Sequence, residues 1–127
     1  MNASKTILVV DDNADILAVV STILEKKGYD VECASNGPEL FQLLEENKPA
    51  LILLDIMLPQ VDGLELLRQL KEDPKTSSIP VILLTAKGQY RDVLLGYKLG
   101  TDYYISKPFT GAQLINGVNL MLGNGHH

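Results

Sequence analysis

Five side chains in this sequence could do chemistry together: the carboxylates of Asp11, Asp12 and Asp55, the hydroxyl of Thr85 and the ammonium of Lys107. Three clustered carboxylates repel one another unless a cation sits among them. These donors are all oxygen, with no His or Cys, which suits a hard cation, most plainly Mg²⁺ keeping several waters. Lys107 supplies a second positive charge. A divalent cation and a lysine around one carboxylate make a site that can receive a tetrahedral anion. Without the cation the acidic pair would repel that anion. This is the charge logic of phosphoryl transfer, in which the protein positions the group and neutralises developing charge. Asp55 is then the nucleophile and becomes an acyl phosphate.

Such a cluster needs four separate segments to end at one place, and the sequence offers them. Leu51-Ile52-Leu53-Leu54 is apolar without alternation, the pattern of a strand buried on both faces, and it ends in Asp55. Thr6 to Val10 is a second such run, ending at Asp11-Asp12. Ile79 to Thr85 is a third, and Tyr103 to Ser106 a fourth that leads into Lys107-Pro108. Tyr29 to Ala34 is a weaker strand, interrupted by Asp30 and Glu32. Helices fill the intervals. Ile16, Val19, Val20, Ile23 and Leu24 recur on one helical face, and Gly28 stops that helix. A second helix carries Leu40, Phe41, Leu43 and Leu44, and a third runs from about Leu64 to Lys71. Gln89 to Leu99 and the stretch around Leu114, Val118, Met121 and Leu122 complete the set. Gly96 predicts a poorly anchored fourth helix, and Gly111 and Gly117 a weak fifth.

Five strands alternating with five helices predict an α/β, flavodoxin-like fold with a doubly wound parallel sheet. The two more polar strands belong at its edges, so the order 2-1-3-4-5 fits. In that order the carboxyl ends of strands 1, 3, 4 and 5 lie side by side, where open α/β sheets bind ligands.

The chain has 127 residues, enough for one domain with a real core, and its 46% hydrophobic content argues against disorder. A formal charge of −5 argues against a general nucleic-acid-binding surface. The single cysteine, Cys33, excludes a disulfide framework and reads as a buried small hydrophobe. No signal peptide and no membrane-length apolar run is present, so a cytoplasmic location is expected. His126 and His127 read as the remnant of a purification tag, which gives a domain over residues 4–122 and a tail over 123–127.

The segments VVDDN, LLDIMLPQVDG, VILLTA and YYISKPF together resemble the response-regulator receiver domain of two-component signalling, in order and over essentially the whole chain. The resemblance implies that Asp55 is the phosphoacceptor. Asp11 and Asp12 would hold Mg²⁺ (Mn²⁺ able to substitute), with Asp55 and the main-chain carbonyl of Met57. Thr85 would bond a phosphoryl oxygen, Ala86 would leave it room to move, and Lys107 would pair with another oxygen. The Lys107-Pro108 bond would be cis, and Tyr104 would be an aromatic switch that turns inward with Thr85. The donor would be a sensor histidine kinase or histidine phosphotransfer protein, and the acyl phosphate would be hydrolysed slowly by the domain itself. The face formed by the fourth helix, fifth strand and fifth helix, with Tyr97 and Tyr103 on or near it, would act on an output domain or self-associate. No nucleic acid or membrane contact is implied for the domain itself. Thr101 and Tyr103 depart from the alanine and aspartate usual in the family, which bears on that face. Met57 and Lys87 stand where the family tunes acyl-phosphate lifetime.

Taken singly, these residues read more plainly. Asp12 or Asn13 caps a helix, Thr85 is a strand residue, Lys107 a surface lysine, Tyr104 a packing residue, Asp62 a turn, and Lys71-Glu72-Asp73 a solvated helix end. Co-location at four strand ends favours the site. Rival readings are an aspartyl-nucleophile phosphatase of the haloacid dehalogenase type, which needs a DxD after its first strand, and an FMN-binding flavodoxin. The latter needs a Ser/Thr/Gly-rich loop where Asp11-Asp12 stands. A third is a receiver degenerated to an interaction module.

Overall fold

The computed structural model describes residues 5–58, 61–86 and 90–123. Pro59, Lys87, Gln89 and the terminal His126 and His127 lie outside the described residues. In chain order the elements are β1 (Thr6–Val10), α1 (Ala14–Lys26), β2 (Asp30–Ala34), α2 (Gly37–Glu46), β3 (Leu51–Asp55), α3 (Gly63–Glu72), β4 (Val81–Ala86), α4 (Tyr90–Leu99), β5 (Tyr103–Lys107) and α5 (Gly111–Leu122). All strand pairs are parallel, in the order β2-β1-β3-β4-β5. β3 is central and buried at every position, as its unbroken apolar run requires. The two strands with interspersed polar residues, β2 and β5, form the edges.

Because strand side chains alternate between faces, the sheet carries two separate cores. Leu8, Val10, Ile52, Leu54, Val81 and Leu83 pack with α2, α3 and Leu99 of α4. Ile7, Val9, Leu51, Leu53, Ile82 and Leu84 pack with α1 and α5. The helices start where short polar side chains satisfy the free N–H groups of the first turn. Asn13 caps α1, Asn36 caps α2, Asp62 caps α3, and Thr110 forms a capping box with Gln113 on α5. Gly28, at φ +94°, turns the chain out of α1. Among the described residues no helix is long and apolar enough to cross a membrane.

Several expectations change in the folded chain. Val19 is not on the buried face of α1; it is 54% exposed, beside the cleft at the sheet's carboxyl end. Cys33 is exposed because β2 is an edge strand only partly covered by α1; its Sγ lies 3.3 Å from Ser21 Oγ. Gly96 does not leave α4 poorly anchored. It is buried, and a Cβ there would fall 2.5 Å from Leu83 Cδ1, so the absent side chain lets the helix approach β4. Gly117 works likewise for α5: its missing Cβ would meet Ile105 Cδ1 at 2.9 Å. Lys71 is not a solvated helix end. Its Nζ donates to the Ile79 carbonyl (2.8 Å) and to Asp102 (3.1 Å), whose carboxylate also accepts from Val81 N–H (2.8 Å). Thr101 is buried rather than part of the surface; its hydroxyl lies 3.0 Å from the Val81 carbonyl and 3.1 Å from that of Tyr103.

Candidate functional site

The carboxyl ends of β1, β3, β4 and β5 meet at one rim. Register accounts for it: Val10 pairs with Leu54, Asp55 with Leu84, and Ala86 with Lys107. Asp11 and Asp55 follow the first pair, Thr85 follows Leu84 of the second, and Lys107 belongs to the third, so all four fall at one end of the sheet. Asp11 N–H continues the ladder to the Ala34 carbonyl (3.1 Å), and Ile56 N–H to that of Leu84 (3.1 Å).

At this rim carboxylate oxygens of Asp11, Asp12 and Asp55 lie within 4.8 Å of one another. Asp11 is fully buried, Asp55 nearly so, and Asp12 exposed. Lys107 Nζ bridges the two buried acids, 2.8 Å from Asp11 Oδ2 and 3.2 Å from Asp55 Oδ2. Their remaining oxygens accept backbone N–H groups: Asp11 Oδ1 from Asn13 (2.9 Å) and Asp55 Oδ1 from Met57 (3.0 Å). Both carboxylates are thus oriented from two sides, as charge-assisted bonds do well. Thr85 is buried one residue beyond the partner of Asp55, beside half-buried Ala86. The Lys107–Pro108 peptide is cis. Tyr104 sits three residues before the end of β5's register with β4 and faces outward, 36% exposed.

The electrostatics are unbalanced. Three carboxylates surround one ammonium. Burial pushes the Asp55 carboxyl above its ordinary range; the Met57 N–H and Lys107 pull it down, and the charge of Asp11 adds to the rise. Lys107 is held above the usual lysine value: burial opposes this, but the Asp11 hydrogen bond and the charges of both acids prevail. The excess of negative charge and the oxygen-only donor set fit a divalent metal site.

The loop after Asp55 is pinched shut. Met57 and Asp62 form an isolated antiparallel bridge, and Gly63 N–H donates to the Ile56 carbonyl at 2.8 Å. A Cβ on Gly63 would strike the Asp55 carbonyl oxygen and come within 2.6 Å of Ile56 Cα. Sequence reasoning saw Asp62-Gly63 only as a turn, although its position at the N-terminus of a leucine-rich helix was a signal. Asn13 reads in the sequence as a helix cap, which it is; that its backbone N–H also holds Asp11 carries no sequence signal. Around Lys107 and Ala86 an apolar cleft of about 340 Å³ is lined by Ile16, Val19, Val20 and Phe109. Met57, whose N–H holds Asp55, has a side chain 64% exposed.

A family model for the response regulator receiver domain matches residues 7–119. The chain is 43% identical over 118 residues to the phosphate regulon transcriptional regulatory protein PhoB of Pseudomonas aeruginosa, covering 93% of this chain and 52% of that protein. It is 42% identical to the alkaline phosphatase synthesis transcriptional regulatory protein PhoP of Bacillus subtilis, covering 94% of this chain and 49% of that one. The chain therefore spans about half the length of these relatives. Among solved structures it is similar to a putative response regulator from Chloroflexus aurantiacus, with TM-score 0.90, 31% identity, and coverage of 94% of this chain and 98% of that one.

Proposed function

The chain belongs to the response-regulator receiver family, and on that premise we propose that Asp55 accepts a phosphoryl group from the phosphohistidine of a partner protein. A receiver is a signalling phosphoacceptor served by a histidine kinase. In the step an Asp55 carboxylate oxygen bonds to phosphorus, the phosphorus–nitrogen bond to the donor histidine breaks, and the imidazole leaves with the electron pair. The observation that carries the assignment is the double anchoring of the Asp55 carboxylate by Lys107 Nζ and Met57 N–H, beside two further carboxylates. Lys107 neutralises charge on the transferring group, and Thr85, at the end of the neighbouring strand, receives another of its oxygens through its hydroxyl.

Asp11, Asp12 and Asp55, with the Met57 carbonyl, would hold Mg²⁺. When bound, that ion supplies Lewis-acid neutralisation of the phosphoryl oxygens. Phosphorylation then shifts a two-state equilibrium: Thr85 and Lys107 draw in, Tyr104 follows, and the α4–β5–α5 face changes shape. Through that face the domain controls an attached output module or a second copy, in the cytoplasm. Residues 4–122 carry this chemistry. The named relatives are transcriptional regulators; on this reading nucleic-acid contacts belong to an output module and not to this domain.

The test is intact mass after incubation with Mg²⁺ and acetyl phosphate. The native chain gains one phosphoryl group, Asp55→Asn gains none, and chelation abolishes the gain. No gain together with no Mg²⁺ binding by titration overturns the assignment and favours an interaction module.

A further inference from the structure

Tyr97 takes no part in the chemistry above, yet its ring holds the one aromatic residue tied to switching. Tyr104 meets it edge to face, with ring centroids 6.1 Å apart and planes at 87°. Alternation along β5 sends Ile105 into the α1–α5 core, so Tyr104 projects from the opposite face, the α4 side. The backbones beneath the two rings are fixed. Gly96, next to Tyr97, seats α4 against Leu83. Thr101 N–H donates to the Gly96 carbonyl at 2.9 Å, and the Thr101 hydroxyl reaches the carbonyls of Val81 and Tyr103. With both backbones held, the ring contact depends on side-chain rotation alone. Tyr103 is 6.3 Å from Tyr104 but tilted at 38°, and its ring lies beside Gly117 in the α5 core, so it does not share this geometry.

We propose that Tyr97 is a positioning residue that latches Tyr104 outward in the unphosphorylated chain, through the edge-to-face contact of the two rings. The meaning of the inward state rests on the receiver reading given above; the latch itself does not. Rotating Tyr104 inward breaks a contact already near the long end of the aromatic range of about 4.5–7 Å. Such pairs bias an equilibrium by about two- to twelve-fold, the equivalent of ~0.5–1.5 kcal/mol. That leaves the inward state accessible, as a two-state element requires.

The measurement is the nuclear Overhauser contact between the Thr85 methyl and the Tyr104 ring in the unphosphorylated full chain, for wild type, Tyr97→Ala and Tyr97→Phe. Tyr97→Ala raises the inward population about two- to twelve-fold, and Tyr97→Phe, which keeps the ring, restores the wild-type value. An unchanged population in Tyr97→Ala, or a Tyr97→Phe chain that behaves like Tyr97→Ala, overturns the latch. Tyr97 is 45% exposed, so the fold survives truncation; should Tyr97→Ala melt early, Tyr97→Leu keeps apolar cover and carries the same readout. No phosphodonor is used in this measurement; phosphoryl uptake by the same chain is read separately, by intact mass with Mg²⁺ and acetyl phosphate. A shifted Tyr104 in a chain that takes up no phosphoryl group rejects the receiver chemistry and keeps the latch. Uptake with an unshifted Tyr104 rejects the latch alone.

Discussion

Replacing Gly63 with alanine drives a methyl group into the backbone that carries Asp55. The new Cβ would lie 2.6 Å from Ile56 Cα and 2.9 Å from the Ile56 carbonyl oxygen, and would strike the Asp55 carbonyl as well. All three atoms are main chain, so no flexible side chain can swing away. Overpacking of this kind costs about 1–3 kcal/mol. Losing the Gly63 N–H bond to the Ile56 carbonyl adds about 1 kcal/mol. The helix preference of alanine over glycine returns up to ~1 kcal/mol. The net expectation is destabilisation by about 1–3 kcal/mol, read as a shift in the urea midpoint. The larger effect falls on chemistry. Relief of the clash moves the Asp55–Ile56 backbone, and a misplacement of about 1 Å costs a reaction up to ~100-fold. Phosphoryl uptake from acetyl phosphate, followed by intact mass, should fall by that order while the chain stays folded. Gly28→Ala is the control. Its φ of +94° makes alanine strained, but nothing lies within 4 Å. It should lose about 1 kcal/mol and keep its uptake rate. Equal uptake rates for Gly63→Ala and wild type would refute the argument that this pinch positions the acceptor.

Two further expectations concern the same rim, and a third the opposite end of the sheet. Burial above all raises the Asp55 carboxyl from its ordinary 3.8, so the folded chain binds more protons than the unfolded one between that value and the raised one. In metal-free buffer, stability therefore falls as pH rises through this window; Asp55→Asn is more stable than wild type at neutral pH, and the gap closes in acid, as urea melts across pH will show. Lys107→Met removes the ammonium between Asp11 and Asp55 and destabilises by about 1–3 kcal/mol, less than the ~3–5 kcal/mol of a fully buried pair because the lysine is partly exposed; added Mg²⁺ recovers part of the loss in a thermal melt. Thr101→Val strips the hydroxyl shared between the Val81 and Tyr103 carbonyls and costs about 1 kcal/mol, with phosphoryl uptake unchanged.

Strand order and rim were legible because they depend on coarse signals. An unbroken apolar run such as Leu51–Leu54 can be satisfied only in the middle of a sheet, and mixed runs such as Asp30–Ala34 only at its edge. Once those two placements are made, Asp11, Asp55, Thr85 and Lys107 fall at neighbouring strand ends. What stayed hidden depends on distances of an ångström or two. Gly96 and Gly117 were read through helix propensity, which counts the cost of a missing side chain and not the approach it permits. Asp62 reads locally as a turn, and nothing in that pattern shows how closely Gly63 approaches the Asp55–Ile56 backbone. Lys71 and Asp102 are 31 residues apart, so no local pattern links them. Cys33 carries an apolar label, but the edge position of β2 and partial cover by α1 decide its exposure. Tyr97 sits on the outside of α4, where periodicity says nothing about which neighbour it touches.

The division of the interior into two cores has an evolutionary consequence. Leu53 and Leu54 are adjacent in sequence yet belong to different cores, and the same holds along every inner strand. A substitution among the residues beneath α1 and α5 is repacked on that side, with the backbone of the sheet between it and the packing under α2 and α3. Each half can drift on its own account and re-shape the surface above it. The strand ends are the exception, because both halves deliver side chains to the same rim. Descendants of this sequence can therefore diversify each flank separately while the shared edge stays under joint constraint. A family of such chains would vary in whom it meets far more readily than in what it does.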